Sequence, residues 1–177
     1  DGFNGPVYCT SGTAALAAVV LRDSAKLQEE DAEYARRKGY SRHAVPRPLY
    51  DARDAEAAIK LFRTQPLHED FELWPNAVAE FEPSGHILGS VVLRLTETSD
   101  RPRTVVFSGD LGRPSHPLLV APHPPADADA VIIESTYGDR VHEDVVTGLD
   151  DLAAAITRTL RRKGTVIVPA FAVDRTE

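Results

Sequence analysis

The sequence has no methionine, one tryptophan and one cysteine in 177 residues. A lone thiol cannot close a disulfide within the chain, so the fold is not a disulfide scaffold and must rest on an apolar core. Cys9, at the end of the short run Val7-Tyr8-Cys9, reads as a small buried hydrophobe in a strand. No uninterrupted apolar stretch comes near the roughly 20 residues that a membrane-spanning helix requires, and no membrane partner is expected. No secretory signal pattern opens the chain, and a cytoplasmic location is the expectation. Excess positive charge is missing too. The formal net charge is −7, which excludes a basic footprint spread over the whole surface, although bound divalent cations add local positive charge that residue counting ignores. There is no internal repeat and no low-complexity segment.

What is present is an ordinary globular composition, 42% hydrophobic, at a length that suits one domain with a sizeable core. The chain opens on a turn and a strand rather than on a start methionine, and is expected to be a piece of a longer protein. Thr10-Ser11-Gly12-Thr13 offers helix caps ahead of an apolar run, and charge then passes from acidic to basic up to a stop at Gly39. This charge run reads as a solvated helix face. Asp51 caps a second, short helix over 52–62. Strands are expected at 71–73, 77–81, 91–95, 104–107, 130–133 and 165–171. The last two are continuous apolar runs of the kind that is buried on both faces. A third helix spans 149–162, with Leu152, Ile156 and Leu160 on one side and Gly164 as its stop. Segment 172–177 reads as the first turn of another helix. Strands with short links followed by strand–helix–strand predict a layered α/β sandwich.

Three strand exits carry the chemistry. Gly85-His86-Ile87-Leu88-Gly89-Ser90 sets His86 in a tight turn between two alternating segments, where neutral imidazole suits a metal. Ser108-Gly109-Asp110-Leu111-Gly112-Arg113 ends a β-branched run and offers a fixed carboxylate. Ala130-Val131-Ile132-Ile133 runs straight into Glu134, a carboxylate that needs a partner. Taken singly, each has an ordinary alternative: a turn histidine, or an aspartate bonding its own backbone. Short connections make neighbouring strands the rule, and neighbouring strands would bring the three groups to one edge. His43, His68, His116 and His123 lie in polar or proline-rich loops and read as surface residues.

These motifs, with Glu134-Ser135-Thr136-Tyr137-Gly138 and Pro169-Ala170-Phe171-Ala172-Val173, occur in the order found in the β-CASP branch of the metallo-β-lactamase fold. The chain resembles the RNA-processing nucleases of that branch, the cleavage and polyadenylation endonuclease type and its prokaryotic counterparts, over nearly its whole length. The resemblance implies an α/β fold, a partial metallo-β-lactamase αββα sandwich lacking N-terminal strands and the β-CASP insert. It implies that residues 1–177 are the central part of a metallo-β-lactamase domain truncated at both ends. His86 then corresponds to a zinc ligand and Asp110 to the carboxylate bridging two zincs. Glu134 corresponds to the acid that orients a histidine further along the protein, which protonates the leaving group. The His-X-His-X-Asp-His motif that supplies most of the family's ligands is not in this sequence, and Asp174 stands where many relatives have glycine.

The function so implied is zinc-dependent cleavage of RNA phosphodiester bonds, endo- or exonucleolytic, with Asp110 and Glu134 as catalytic residues and His86 and Asp110 as metal ligands. Two zinc ions are expected in the complete enzyme, although manganese would accept the same donors. RNA is the expected substrate, and a homodimer of the full-length protein is one arrangement. Two other readings remain open: a non-catalytic scaffold subunit of an RNA-processing complex, and a small-molecule thioester or lactone hydrolase on the same fold. No substrate-binding residue is assigned. Tyr137, Arg140 and His142 follow Glu134 closely and are candidates for a cleft, with packing as the alternative. Two ligands fall short of the three or four protein groups that zinc usually takes, so the chain by itself is expected to bind zinc weakly and to be inactive.

Overall fold

A computed structural model describes residues 2–116, 118–124, 127–141, 145–171 and 173. The chain divides into two compact units, one ending at Ile133 and one beginning at Glu134.

The first unit opens with β1 (Val7–Cys9), α1 (Ser11–Lys38), α2 (Ala52–Ile59) and β2 (Phe62–Thr64). The two helices form the crossover that lets β2 lie parallel to β1, with Val7 opposite Phe62. Local chemistry fixes both ends of α1. The Thr10 hydroxyl accepts from the Thr13 N–H at 3.1 Å, and Gly39 takes the left-handed conformation (φ 68°) while its N–H reaches the Ala35 carbonyl. Arg36, Arg37 and Lys38 occupy the last turn, where cations suit the helix dipole. Asp51 caps α2 in a reciprocal capping box with Asp54. The short helix ends at Ile59, and Phe62 belongs to a strand rather than to the helix expected over 52–62. Pairing with β1 is the cause, a distant contact that overrides local preference.

A five-stranded sheet follows, in the order β3 (Phe71–Trp74), β4 (Ala77–Pro83), β5 (Val91–Glu97), β6 (Arg103–Phe107) and β7 (Ala130–Ile132). The first four strands form an antiparallel meander, and β7 runs parallel to β6. Along β4 burial alternates residue by residue, as a period of two requires. Ala77, Ala79 and Phe81 face the core. There Phe71 meets Phe81 at 5.0 Å between ring centroids and Tyr8 at 5.3 Å, so aromatic contacts join the two sheets. The opposite face carries the Arg94–Glu80 ion pair at 3.2 Å and the Thr96–Thr104 hydroxyl bond. Cys9 is buried in β1, as its sequence context implied, and burial raises its thiol pKa.

β7 departs from expectation. Its run was expected to be buried on both faces, yet Val131 and Ile132 are each 56% exposed. Among the described residues it pairs only along β6, which leaves its other edge bare. An apolar run marks a strand that can be covered, and burial requires something to cover it.

In the second unit α3 spans Val145–Arg161, starting earlier than the expected 149. It closes in a Schellman arrangement: the Gly164 N–H reaches the Thr159 carbonyl and the Lys163 N–H the Leu160 carbonyl. Lys163, not Gly164, takes the left-handed position (φ 55°), so the glycine stop stands one residue too late. Segment 165–171, expected as a buried strand, has no regular structure, and Ile167 is 86% exposed. A strand exists only by pairing, and no described residue pairs with this one. The helical turn expected at 172–177 lies outside the described residues apart from Val173. The architecture is mixed α/β, as the motif order implied. No described helix is long and apolar enough to cross a membrane.

Candidate functional site

His86 sits in a turn between β4 and β5 that is tied down at both ends and at His86 and Ile87 themselves. The Ser84 N–H donates to the Ser90 carbonyl at 3.3 Å. The Ser90 hydroxyl accepts from the His86 and Ile87 N–H groups, both at 3.1 Å, and donates to the Ile87 carbonyl at 2.8 Å. Gly89 closes the turn in the left-handed region (φ 84°) and lies against the start of α1, where a side chain would overlap the Thr13 backbone nitrogen. Its carbonyl accepts from the hydroxyls of Thr10 and Thr13, each at 2.8 Å. The two threonines that start α1 therefore also hold the histidine turn.

Asp110 is delivered by the exit of β6. The Ser108 N–H continues the pairing with β7 by donating to the Ile132 carbonyl at 2.9 Å. Gly109 then turns the chain in the left-handed region (φ 55°). Ser84, which is fully buried, donates its hydroxyl to the Asp110 carbonyl at 2.8 Å and accepts the Gly112 N–H on its own carbonyl at 2.8 Å. Gly112 lies directly on Gly85, so closely that a Cβ would overlap the Gly85 carbonyl.

This stitching places His86 Nε2 3.8 Å from Asp110 Oδ2, with side chains 44% and 73% exposed. Two donors on one tetrahedral zinc, each about 2.0–2.1 Å from it, stand roughly 3.3 Å apart, so a shift of about half an ångström would bring both onto one ion. One nitrogen and one oxygen donor, both open to solvent, suit that metal. No group of three or more His, Cys, Asp or Glu side chains is placed to hold a metal ion among the described residues, so the pair fits as part of a metal site.

The structure brings together two of the three residues singled out in the sequence. Glu134 opens the second unit, and its Oε2 accepts the Thr136 hydroxyl at 2.6 Å. The turn that follows is held by the Gly138 N–H on the Ser135 carbonyl and the Arg140 N–H on the Tyr137 carbonyl. Tyr137 is half exposed and Arg140 pairs with its neighbour Asp139 at 3.5 Å. His142 and Asp174 lie outside the described residues. The Nδ1 of His116 accepts the N–H groups of Leu118 and Leu119 at 3.2 and 3.1 Å, which uses it to cap a turn.

His68 and His123 are more than the isolated loop residues that their sequence context suggested. Both approach one carboxylate oxygen of Glu82. No local signal marks that meeting, because the three residues come from separate parts of the chain.

A histidine and an aspartate delivered side by side by the exits of sheet strands mark a candidate metallo-hydrolase site. The chain is 32% identical over 177 residues to Ribonuclease TTHA0252 of Thermus thermophilus. It is 29% identical over 181 residues to transcription termination factor FttA of Methanothermobacter thermautotrophicus, and 24% identical over 176 residues to cleavage and polyadenylation specificity factor 73 of Drosophila melanogaster. These alignments take in 100%, 99% and 99% of the chain but only 36%, 26% and 23% of the relatives, so it spans from under a quarter to just over a third of their lengths. No family model matches the chain. The relatives are by name a ribonuclease, a transcription termination factor and a cleavage and polyadenylation factor, and the similarity runs along the whole chain, as the resemblance read from the four motifs implied.

Proposed function

We propose that this chain is a central part of a metal-dependent hydrolase that cleaves RNA phosphodiester bonds, built on the αββα sandwich of the β-CASP branch. The observation that carries the reading is the approach of His86 Nε2 to Asp110 Oδ2 at the adjoining exits of β4 and β6. His86 and Asp110 would hold zinc, His86 through Nε2 and Asp110 through its carboxylate. Zinc, when bound, supplies an acidified water near neutral pH and offsets the charge of the phosphoryl oxygens. The turns carrying both residues are fixed by Ser84, Ser90 and Gly112, so the backbone that carries the donors is set before any ligand arrives. Glu134 supplies a carboxylate that fixes the tautomer and raises the basicity of a histidine lying further along the protein, the group that protonates the leaving oxygen. Work on RNA is supported by the names of the relatives, which include a ribonuclease and a cleavage and polyadenylation factor.

The test uses the full-length protein with end-labelled RNA, the matching DNA and a thioester, each with and without chelator. Chelator-sensitive cleavage of RNA is expected, with a loss of roughly a hundredfold or more in His86→Ala and in Asp110→Asn. Intact RNA under all conditions would favour the scaffold reading, and turnover of the thioester alone would favour a small-molecule hydrolase.

A further inference from the structure

Glu82 lies next to the end of β4, on the sheet face that carries Glu80 and Arg94. Its side chain is 13% exposed and its Oε2 is fully covered. His68 Nδ1 stands 2.9 Å and His123 Nδ1 3.0 Å from that one oxygen, with the two rings edge-on at 5.7 Å between centroids. Oε2 thus has close imidazole neighbours but no hydrogen bond. Covered anionic oxygens are costly without such bonds, and a nearby positive charge offsets the cost.

Both histidines are held in place by their backbones. The His68 N–H donates to the Phe81 carbonyl at 2.9 Å, and the residue takes a left-handed φ of 60°, unfavourable for a side chain with a Cβ. The His123 N–H donates to the Pro83 carbonyl at 3.0 Å. The loop leading to His123 packs on the histidine turn: the Val120 carbonyl and the Pro122 ring lie where a side chain on Gly85 would go.

We propose that His68, Glu82 and His123 form a clamp, strengthened by proton uptake, that holds the 118–123 loop against the turn bearing His86. With both rings neutral the cluster carries one negative charge. One proton added to a ring nitrogen cancels it and turns a close contact into an ion pair. A second proton would place two cations side by side, so the clamp takes up one. Other charges near this face are Glu72 on β3, the mutually paired Glu80 and Arg94 on β4 and β5, and the exposed Glu69 and Asp70 that follow His68. On the loop side His116 is already committed to backbone N–H groups. Falling pH favours that proton uptake, so the clamp tightens as pH falls. Glu82 is here a positioning residue. The clamp stands or falls independently of what the His86–Asp110 pair does.

Amide hydrogen exchange on the full chain tests it, with rates corrected for the intrinsic effect of pH. Protection of the His123 amide and of the 118–122 segment is expected to rise up to about fivefold between about pH 7.5 and about pH 5.5, the scale of a partly exposed ion pair. Glu82→Gln, which keeps an acceptor but removes the charge, should abolish that rise and leave α1 unchanged. An equal rise in Glu82→Gln, or no rise in the unaltered chain, would overturn the proposal. Should Glu82→Gln fail to give a folded circular dichroism spectrum, His123→Gln replaces it, since that ring is more than half exposed and is the one that ties the loop to Glu82. A full rise retained there would overturn the proposal equally.

Discussion

Ser84 and Asp110 are bound to each other across two turns: the buried Ser84 hydroxyl donates to the Asp110 carbonyl at 2.8 Å, while the Ser84 carbonyl accepts the Gly112 N–H at 2.8 Å. One small residue thus sets the spacing between the histidine turn and the aspartate turn. Ser84→Ala keeps the backbone bond and removes the hydroxyl. It is expected to lower stability by about 1 kcal/mol, the usual net worth of one such bond. It should also loosen Asp110, seen as faster exchange of the Asp110 and Leu111 amides. An unchanged denaturation midpoint together with unchanged exchange would mean that the bond is not what spaces the turns.

Gly112 is needed for a different reason. A Cβ there overlaps the Gly85 carbonyl and crowds the His86 nitrogen, and backbone atoms cannot swing aside as a side chain can. Gly112→Ala should therefore cost about 1–3 kcal/mol or more, read as a drop in the urea midpoint. Gly148, inside α3 with nothing within 4 Å of its would-be Cβ, is the internal contrast. Gly148→Ala should stabilise by about 0.5–1 kcal/mol through helix propensity. If the two alanines behaved alike, close packing would not be the reason for glycine at position 112.

Much of this was legible in the residues because the causes were local. Thr10, Gly39 and Asp51 announce helix ends through their own chemistry, and the alternation at 77–81 and 91–95 announces strands with one covered face. His86 and Asp110 could be placed at strand exits for the same reason. What escaped depends on distant partners. Phe62 looks helical until it meets Val7 across a parallel pair. The runs at 130–133 and 165–171 have the composition of buried strands, but composition cannot say what will cover them. The meeting of His68 and His123 on Glu82 leaves no periodic trace, because it joins a β4 residue to loops from two other parts of the chain.

The late glycine at the end of α3 gives a simple stability test. Lys163 occupies the left-handed position of the Schellman turn, which strains a residue with a Cβ, while Gly164 beside it does not need its freedom there. Lys163→Gly should relieve that strain and raise stability by about 1 kcal/mol, measured as the α3 contribution to a circular dichroism melt. A lower melting temperature would show that the lysine side chain supports the helix end by more than its backbone costs.

Acid should loosen α2 at its start. The Asp54 N–H foremost, with the Arg53 N–H and guanidinium, holds the Asp51 carboxyl below its ordinary pKa. A lowered folded-state pKa means that the carboxylate adds stability above its unfolded pKa and loses it as pH falls through the folded value. The Arg22 guanidinium, bonded to Glu56 at 2.5 Å, lowers the Glu56 pKa in the same direction. Protection of the Arg53 and Asp54 amides should therefore fall in the acid range below that of ordinary aspartates. Asp51→Asn keeps a capping oxygen without a titrating proton and should flatten the fall contributed by Asp51. A fall of the same size and position in Asp51→Asn would assign it to another group.

Metal binding by the chain is the sharpest check on the candidate site. Structural zinc sites draw their affinity from four protein ligands and catalytic ones from at least three, whereas His86 and Asp110 are two, 3.8 Å apart and both open to water. Two donors of this kind should hold zinc with a Kd on the order of tens of micromolar or weaker, far from the apparent binding energies of complete sites. Calorimetric titration should show that weak binding, with His86→Ala and Asp110→Asn each abolishing it and Glu134→Gln leaving it unchanged. The same preparation should leave labelled RNA intact. Tight binding lost in His86→Ala would mean that further ligands assemble around this pair within the chain. Weak binding insensitive to both substitutions would mean that the approach of His86 to Asp110 has nothing to do with metal, and the hydrolase reading would lose the observation on which it stands.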